Sequence, residues 1–189
     1  MDSHFIDYLS QHHFSNDEIN QLVELASPLE LPTRHILVEQ GAATESFYFV
    51  LEGLCHASYL TEHGKEFSKE FYWEQDWIIG FESLIKQQGS PFLIETLTPC
   101  LILCIPITTL KSWRLEHHPI YLKLVEAQLM HKENKERFML LYSPEERYQL
   151  FCQHFSQLEQ RLADYQIAAY LGISSVSLSR IKKRANDGC

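Results

Sequence analysis

At 189 residues the chain is long enough for one large domain or two small ones with a buried core. Apolar residues make up 45% and aromatics 12%, which excludes a disordered chain, and a formal net charge of -9 excludes a protein that coats nucleic acid without specificity. No apolar run approaches the roughly 20 residues of a bilayer span, and the polar, acidic start MDSHFIDYLSQHHFSNDE is no secretory signal, so a cytoplasmic protein is expected.

Residues 4–27 read as short helices, with Ile6, Leu9, Phe14, Ile19, Leu22, Val23 and Leu25 near helical spacing. Asn16, Asp17 and Glu18 mark a helix start. The stretch SPLELPTRH breaks that pattern with two prolines. From His35 to Pro106 the texture changes to short apolar or alternating runs divided by turn residues, with a hairpin signal at His63-Gly64. An antiparallel sandwich or roll is expected there. A strand pair, FLIETLTP and CLILCIP, closes the region.

After Pro106 strand signals stop and a long helix is expected, beginning in earnest at Pro119 and ending near Leu141. Leu122, Val125 and Leu129 form a seam on it, which suits either a core-facing stripe or a dimer helix. Ser143, Pro144 and Glu146 open another helix, with Ser143 as cap.

Five cysteines, Cys55, Cys100, Cys104, Cys152 and Cys189, are odd in number and lack close pairing, which argues against a disulfide framework. Cys100 and Cys104 fall on one face of a predicted strand and read as buried or half-buried thiols. Nothing gathers the cysteines an iron–sulfur cluster needs. The histidines, among them His56, His63, His117 and His118, read as isolated, so neither haem nor a metal site is expected. No nucleophile–base arrangement stands out, and an enzyme is not expected.

Charge is unevenly spread. Residues 161–189 contain five Lys/Arg and two Asp, a net +3, leaving the first 160 residues at -12. The tail YQIAAYLGISSVSLSRIKKR carries four cations and no carboxylate. Gln166 to Tyr170 reads as a helix with Ile167 and Leu171 inward and Ala168 and Ala169 permitting close packing. Gly172 ends it, Ile173 plugs the turn and Ser174 caps a second helix from Ser175 to about Lys183. This order is that of a helix-turn-helix. On its outer face stand Ser175, Val176, Ser177, Ser179 and Arg180. Arg180 suits bidentate bonding to guanine, and Val176 a thymine methyl. Ser174, Ser177 and Lys183 suit phosphate oxygens.

With LVEQGAATESFYFVLEGLCHASYLTEHGKE, QDWIIGFESL and YQIAAYLGISSVSLSRIKK, the chain resembles the Crp/Fnr superfamily of bacterial transcription regulators over nearly its full length. The resemblance implies an α+β fold. It comprises an N-terminal antiparallel β-roll (a jelly-roll-like double-stranded β-helix) with flanking helices over 1–110, a dimer helix over 111–142 and a helix-turn-helix over 143–189. It implies a homodimer on a palindromic operator in double-stranded DNA, with RNA polymerase and a small-molecule effector as further partners. Carried over by position, base reading falls on Ser175, Val176 and Arg180, and phosphate contact on Ser174, Ser177 and Lys183. Ser175-Val176 stands where the family has an acid, which would shift operator preference. Few residues follow Arg184, leaving no room for the wing hairpin many relatives carry. An effector pocket would fall on Gly80, Phe81, Glu82, Ser90 and Pro91. Members that bind cyclic AMP use an arginine for its phosphate, and none occurs from His35 to Trp113. Burying that anion unpaired is costly, so cyclic AMP and cyclic GMP are not expected as effectors. The rival reading is a protein-interaction module with a degenerate pocket.

Overall fold

The computed structural model describes residues 3–187; Cys189 lies outside them. The chain divides into two compact units, Met1–Leu124 and Val125–Cys189.

In the first unit, α1 (Ser3–Gln11) and α2 (Asn16–Leu25) precede eight strands. Ser15 caps α2 in a reciprocal capping box with Glu18. The strands are β1 (Ser27–Leu31), β2 (Ile36–Val38), β3 (Ser46–Glu52), β4 (Cys55–Leu60), β5 (Glu66–Tyr72), β6 (Trp77–Ile78), β7 (Leu93–Thr96) and β8 (Cys100–Pro106). A short α3 (Phe81–Lys86) interrupts them, and α4 (Ile107–Leu115) follows.

The turn at His63-Gly64 joins β4 to β5, and every other pairing nests around it. β3 pairs with β6, β2 with β7 and β1 with β8, all antiparallel. One long hairpin is therefore folded back on itself. Cross-pairs β3–β8 and β4–β7 then complete two four-stranded sheets, ordered β1-β8-β3-β6 and β2-β7-β4-β5. That is the order of a jelly roll, the form of the antiparallel sandwich or roll expected from short runs divided by turn residues.

Alternation along β3 and β8 decides what lies where. Tyr48, Val50, Cys100 and Ile102 join the cluster between the two sheets. Phe47, Phe49, Leu103 and Ile105 point to the opposite face, where α1, α2 and α4 cover them with Phe5, Leu9, Leu22, Leu110 and Trp113. A sheet buried on both faces needs unbroken apolar strands, which explains SFYFVLE and CLILCIP. Each fully buried Phe or Leu here contributes about 1.5–3 kcal/mol.

One strand was not legible. SPLEL forms β1, although its proline reads as a breaker. β1 is an edge strand exposed over Ser27–Glu30, and at an edge a missing N–H is tolerated.

The long helix α5 runs Pro119–Leu141 as expected. Its first turns belong to the first unit, where Ile120 and Leu124 enter the core. Lys123 Nζ reaches Glu18 Oε2 at 2.6 Å. Burial works against the charge on Glu18, yet Lys123 and the Ser15 N–H and hydroxyl hold its carboxyl below the ordinary value. A carboxyl so depressed contributes stability that is present at neutral pH and lost as pH falls below about 4.5. Glu18→Gln is therefore expected to flatten the acid side of the denaturation-midpoint profile. An unchanged slope would show that Glu18 does not couple folding to protons.

In the second unit, α5 continues and is followed by α6 (Pro144–His154), α7 (Ser156–Arg161), α8 (Asp164–Tyr170) and α9 (Ser175–Asp187). Ser143 caps α6 through a capping box with Glu146, with Pro144 in the first turn. Among the described residues no helix is long and apolar enough to cross a membrane.

Candidate nucleic-acid interface and effector pocket

Phe151 of α6 is fully buried, and its ring lies 5.8 Å from those of Phe155 and Tyr170. Leu158, Leu162, Ile167, Ala168, Leu171, Leu178 and Ile181 are buried too, and α8 packs against α9. α8 and α9 thus share one apolar floor. Ala169, expected to help the packing, faces solvent instead.

Between the helices Gly172 sits at φ +67°, which a side chain adopts only with strain. A Cβ there would also meet the Met139 methyl at 2.6 Å. Ser174 caps α9, its hydroxyl accepting from the Ser177 N–H at 3.1 Å and lying 2.9 Å from the Ser177 hydroxyl. The cap leaves the front of α9 furnished with small hydroxylated residues.

Ser174, Ser175, Ser179, Arg180 and Lys183 are exposed, Ser177 is half-buried, and Val176 keeps 61% of its surface in solvent. The four cations of the tail then separate into two pairs. Lys182 Nζ bonds Asp164 Oδ1 at 2.6 Å, and Arg184 Nη1 bonds Glu145 Oε1 at 3.0 Å. Such surface pairs add little stability, but they turn those two cations toward α8 and α6. Arg180 and Lys183 have no ion pair among the described residues. The outward face of α9 therefore presents one guanidinium, one ammonium, serines and a valine.

Along α5, Leu122 and Leu129 are each 56% exposed and one heptad apart, with Val125 half-buried between them. Met130, Leu140 and Leu141 are exposed too.

The residues expected to line an effector pocket have different surroundings. Gly80 lines a cleft of about 450 Å³. Phe81 packs edge-on against Tyr121 at 6.0 Å, and Glu82 pairs with Lys86 at 2.7 Å. Ser90 is buried, its hydroxyl donating to the Phe92 carbonyl at 2.7 Å, while its own backbone is bonded to Gly41 and Ala42. Pro91 is half-buried beside it. Between the sheets the roll is filled by Tyr48, Tyr72, Phe92 and aliphatic neighbours. Burial pushes the Tyr48 phenol up to about 12, helped by the nearby Cys104 and Glu45, and raises Tyr72 further.

Residues the sequence did not single out complete the cleft beside Gly80. Thr44, Ser83, Lys111 and Arg114 line it. The arginine-free window ended at Trp113, one position short of Arg114. A signal was present, since Lys111 and Arg114 stand three apart on one helix and share a face.

Cys100 Sγ lies 3.8 Å from Cys55 Sγ, both buried, and Cys104 is half-buried. The contact with Cys100, reinforced by burial, raises the Cys55 thiol far above its ordinary value, so it is no nucleophile at neutral pH. His56, Glu66 and Glu95 bring ligand atoms within 4.8 Å of one another, the one grouping among the described residues that could hold a metal ion. Burial and the neighbouring Glu66 raise the Glu95 carboxyl.

Residues 28–117 match the cyclic nucleotide-binding domain family. Among solved structures, the chain is similar to FixK2 from Bradyrhizobium japonicum, with 15% identity, TM-score 0.71 and coverage of 86% of this chain and 85% of that one. It is similar to a Crp/Fnr-family transcriptional regulator from Eubacterium rectale at 13% identity and TM-score 0.69, covering 96% and 88%. It is also similar to the c-di-GMP responsive global regulator CLP from Xanthomonas campestris at 17% identity and TM-score 0.66, covering 90% and 91%. No curated protein matches the chain.

Proposed function

We propose that this chain, a cyclic nucleotide-binding domain followed by a helix-turn-helix in the fold of Crp/Fnr regulators, is a homodimeric, cytoplasmic transcription regulator reading a palindromic operator. The observation that carries this reading is the outward face of α9. Its two unpaired cations, Arg180 and Lys183, stand among exposed small residues, while Lys182 and Arg184 are held by Asp164 and Glu145. Arg180 reads a guanine edge in the major groove, Ser175 and Val176 approach neighbouring bases, and Ser174, Ser177 and Lys183 hold phosphates. Ser179 stands beside them on the same helix.

The partner copy docks along Leu122, Val125 and Leu129 of α5. Two-fold symmetry then sets half-sites about one helical turn apart, 10–10.5 bp. RNA polymerase is a natural further partner for such a protein, and no catalytic role is assigned. DNA selected from a random-sequence pool should enrich a palindrome and release it steeply as salt rises. Purified protein that stays monomeric by sedimentation and enriches no sequence would overturn the reading in favour of a protein-interaction module.

The roll does not serve cyclic AMP. Tyr72 and Phe92 fill the space between the sheets, and no arginine occurs from His35 to Trp113 to meet a buried cyclic phosphate. Isothermal titration is expected to show no micromolar binding of cyclic AMP or cyclic GMP. Micromolar heats from either would refute this part while leaving DNA recognition standing.

A further inference from the structure

We infer that the cleft between α3, the loop before β3, and α4 is a binding site for a phosphate monoester, separate from the roll interior. Its walls are preformed. The Ile107 N–H bonds the Glu45 carbonyl at 2.8 Å, which fixes the start of α4 to the loop. The Gly41 N–H bonds the Ser90 carbonyl at 2.7 Å, and the Ser90 N–H returns to the Ala42 carbonyl at 2.8 Å. Gly89 packs so closely on Gly41 that a Cβ would lie 2.1 Å from its carbonyl oxygen. The loop is therefore clamped from both sides.

Two buried hydroxyls in the lining of this space lack partners. Ser83 is only 7% exposed, and neither its Oγ nor the buried Oγ1 of Thr44 makes a hydrogen bond among the described residues. Both lie 3.7 Å from the point where a Cβ on Gly80 would stand, so they flank one spot. Buried polar groups are ordinarily satisfied, and a pair left open at one place in a cleft points to a missing acceptor. From α4 come Lys111 and Arg114, which form no ion pair among the described residues, and no carboxylate lines the cleft. Two cations and two hydroxyl donors match a dianion with three terminal oxygens. A carboxylate would leave one cation uncompensated. Arginine's fork suits phosphate geometry and lysine supplies a point charge. Leu84, Ile107 and Leu115 offer an apolar wall for the organic body, and a volume of about 450 Å³ accommodates a small ligand. The Crp/Fnr-type DNA reading is not needed for any of this.

Phenyl phosphate, inorganic phosphate and benzoate are the probes, titrated calorimetrically against the full chain. Phenyl phosphate should bind, and more tightly above its second pKa of about 6 than below it. Arg114→Ala should weaken it at least about tenfold, as loss of a charge-assisted pair does. Ser83→Ala should weaken it less, while Lys86→Ala, which removes a cation of α3 that does not line the cleft, should leave it unchanged. Melting curves establish that each variant is folded. Three results would each overturn the site: no heat from either phosphate at about 10 mM, equal binding by wild type and Arg114→Ala, or benzoate binding as tightly as phenyl phosphate.

Discussion

Replacing Arg180 by alanine is expected to weaken operator binding by about 1–3 kcal/mol and to relax preference at a single base position. The side chain is exposed on the face of α9 turned away from Leu178 and Ile181, both buried, so its loss should leave the fold intact. A guanidinium bonded to guanine O6 and N7 distinguishes that base from the other three. Lys183→Ala should behave differently. It should weaken all sequences about equally and reduce the salt slope by about 1, because a phosphate contact carries no sequence information. Binding selections on the two variants separate these roles. If Arg180→Ala selects the wild-type operator with undiminished affinity, that arginine has been misplaced.

Phe151→Ala should cost about 3–5 kcal/mol, the usual penalty for emptying a large aromatic site. Phe151 is the fully buried ring against which Phe155 and Tyr170 pack at a tilt, which ties α6 to α8 of the motif. The loss should be confined to the second unit, and the chain supplies a way to see that. All three tryptophans, Trp73, Trp77 and Trp113, belong to the first unit. Tryptophan fluorescence should then melt where the wild type melts, while helical circular dichroism loses an early component. A shift below about 1 kcal/mol would mean that the motif does not depend on this ring.

The elements that could be read in advance were those whose signals are local. The hairpin at His63-Gly64, the capping serine at Ser143 and the glycine turn at Gly172 are set by neighbouring residues, and each stands where expected. The Ile167, Leu171, Leu178 and Ile181 floor followed from helical spacing alone. What escaped was non-local. β1 shows no alternation because four of its five residues face solvent, and its proline is acceptable only because nothing pairs on its outer side. The cleft draws on Thr44, Ser83 and Arg114, which lie far apart in the chain and meet only through the nested pairing of the roll. Phe81 and Glu82, placed with Gly80 by the family resemblance, meet Tyr121 and Lys86.

Pro28 has a consequence beyond tolerance of an unusual strand. If copies of the chain pair through one chosen helix, as proposed above, their sheets must not also zip onto those of a neighbour. Each outer rim of the roll resists such growth in its own way: a proline gap in the donor row at β1, three residues at β2, two at β6, and charges from Glu66 and Lys69 along β5. Blunted rims of this kind suppress fibrillar association, so crowding is not expected to drive the roll into edge-to-edge stacks.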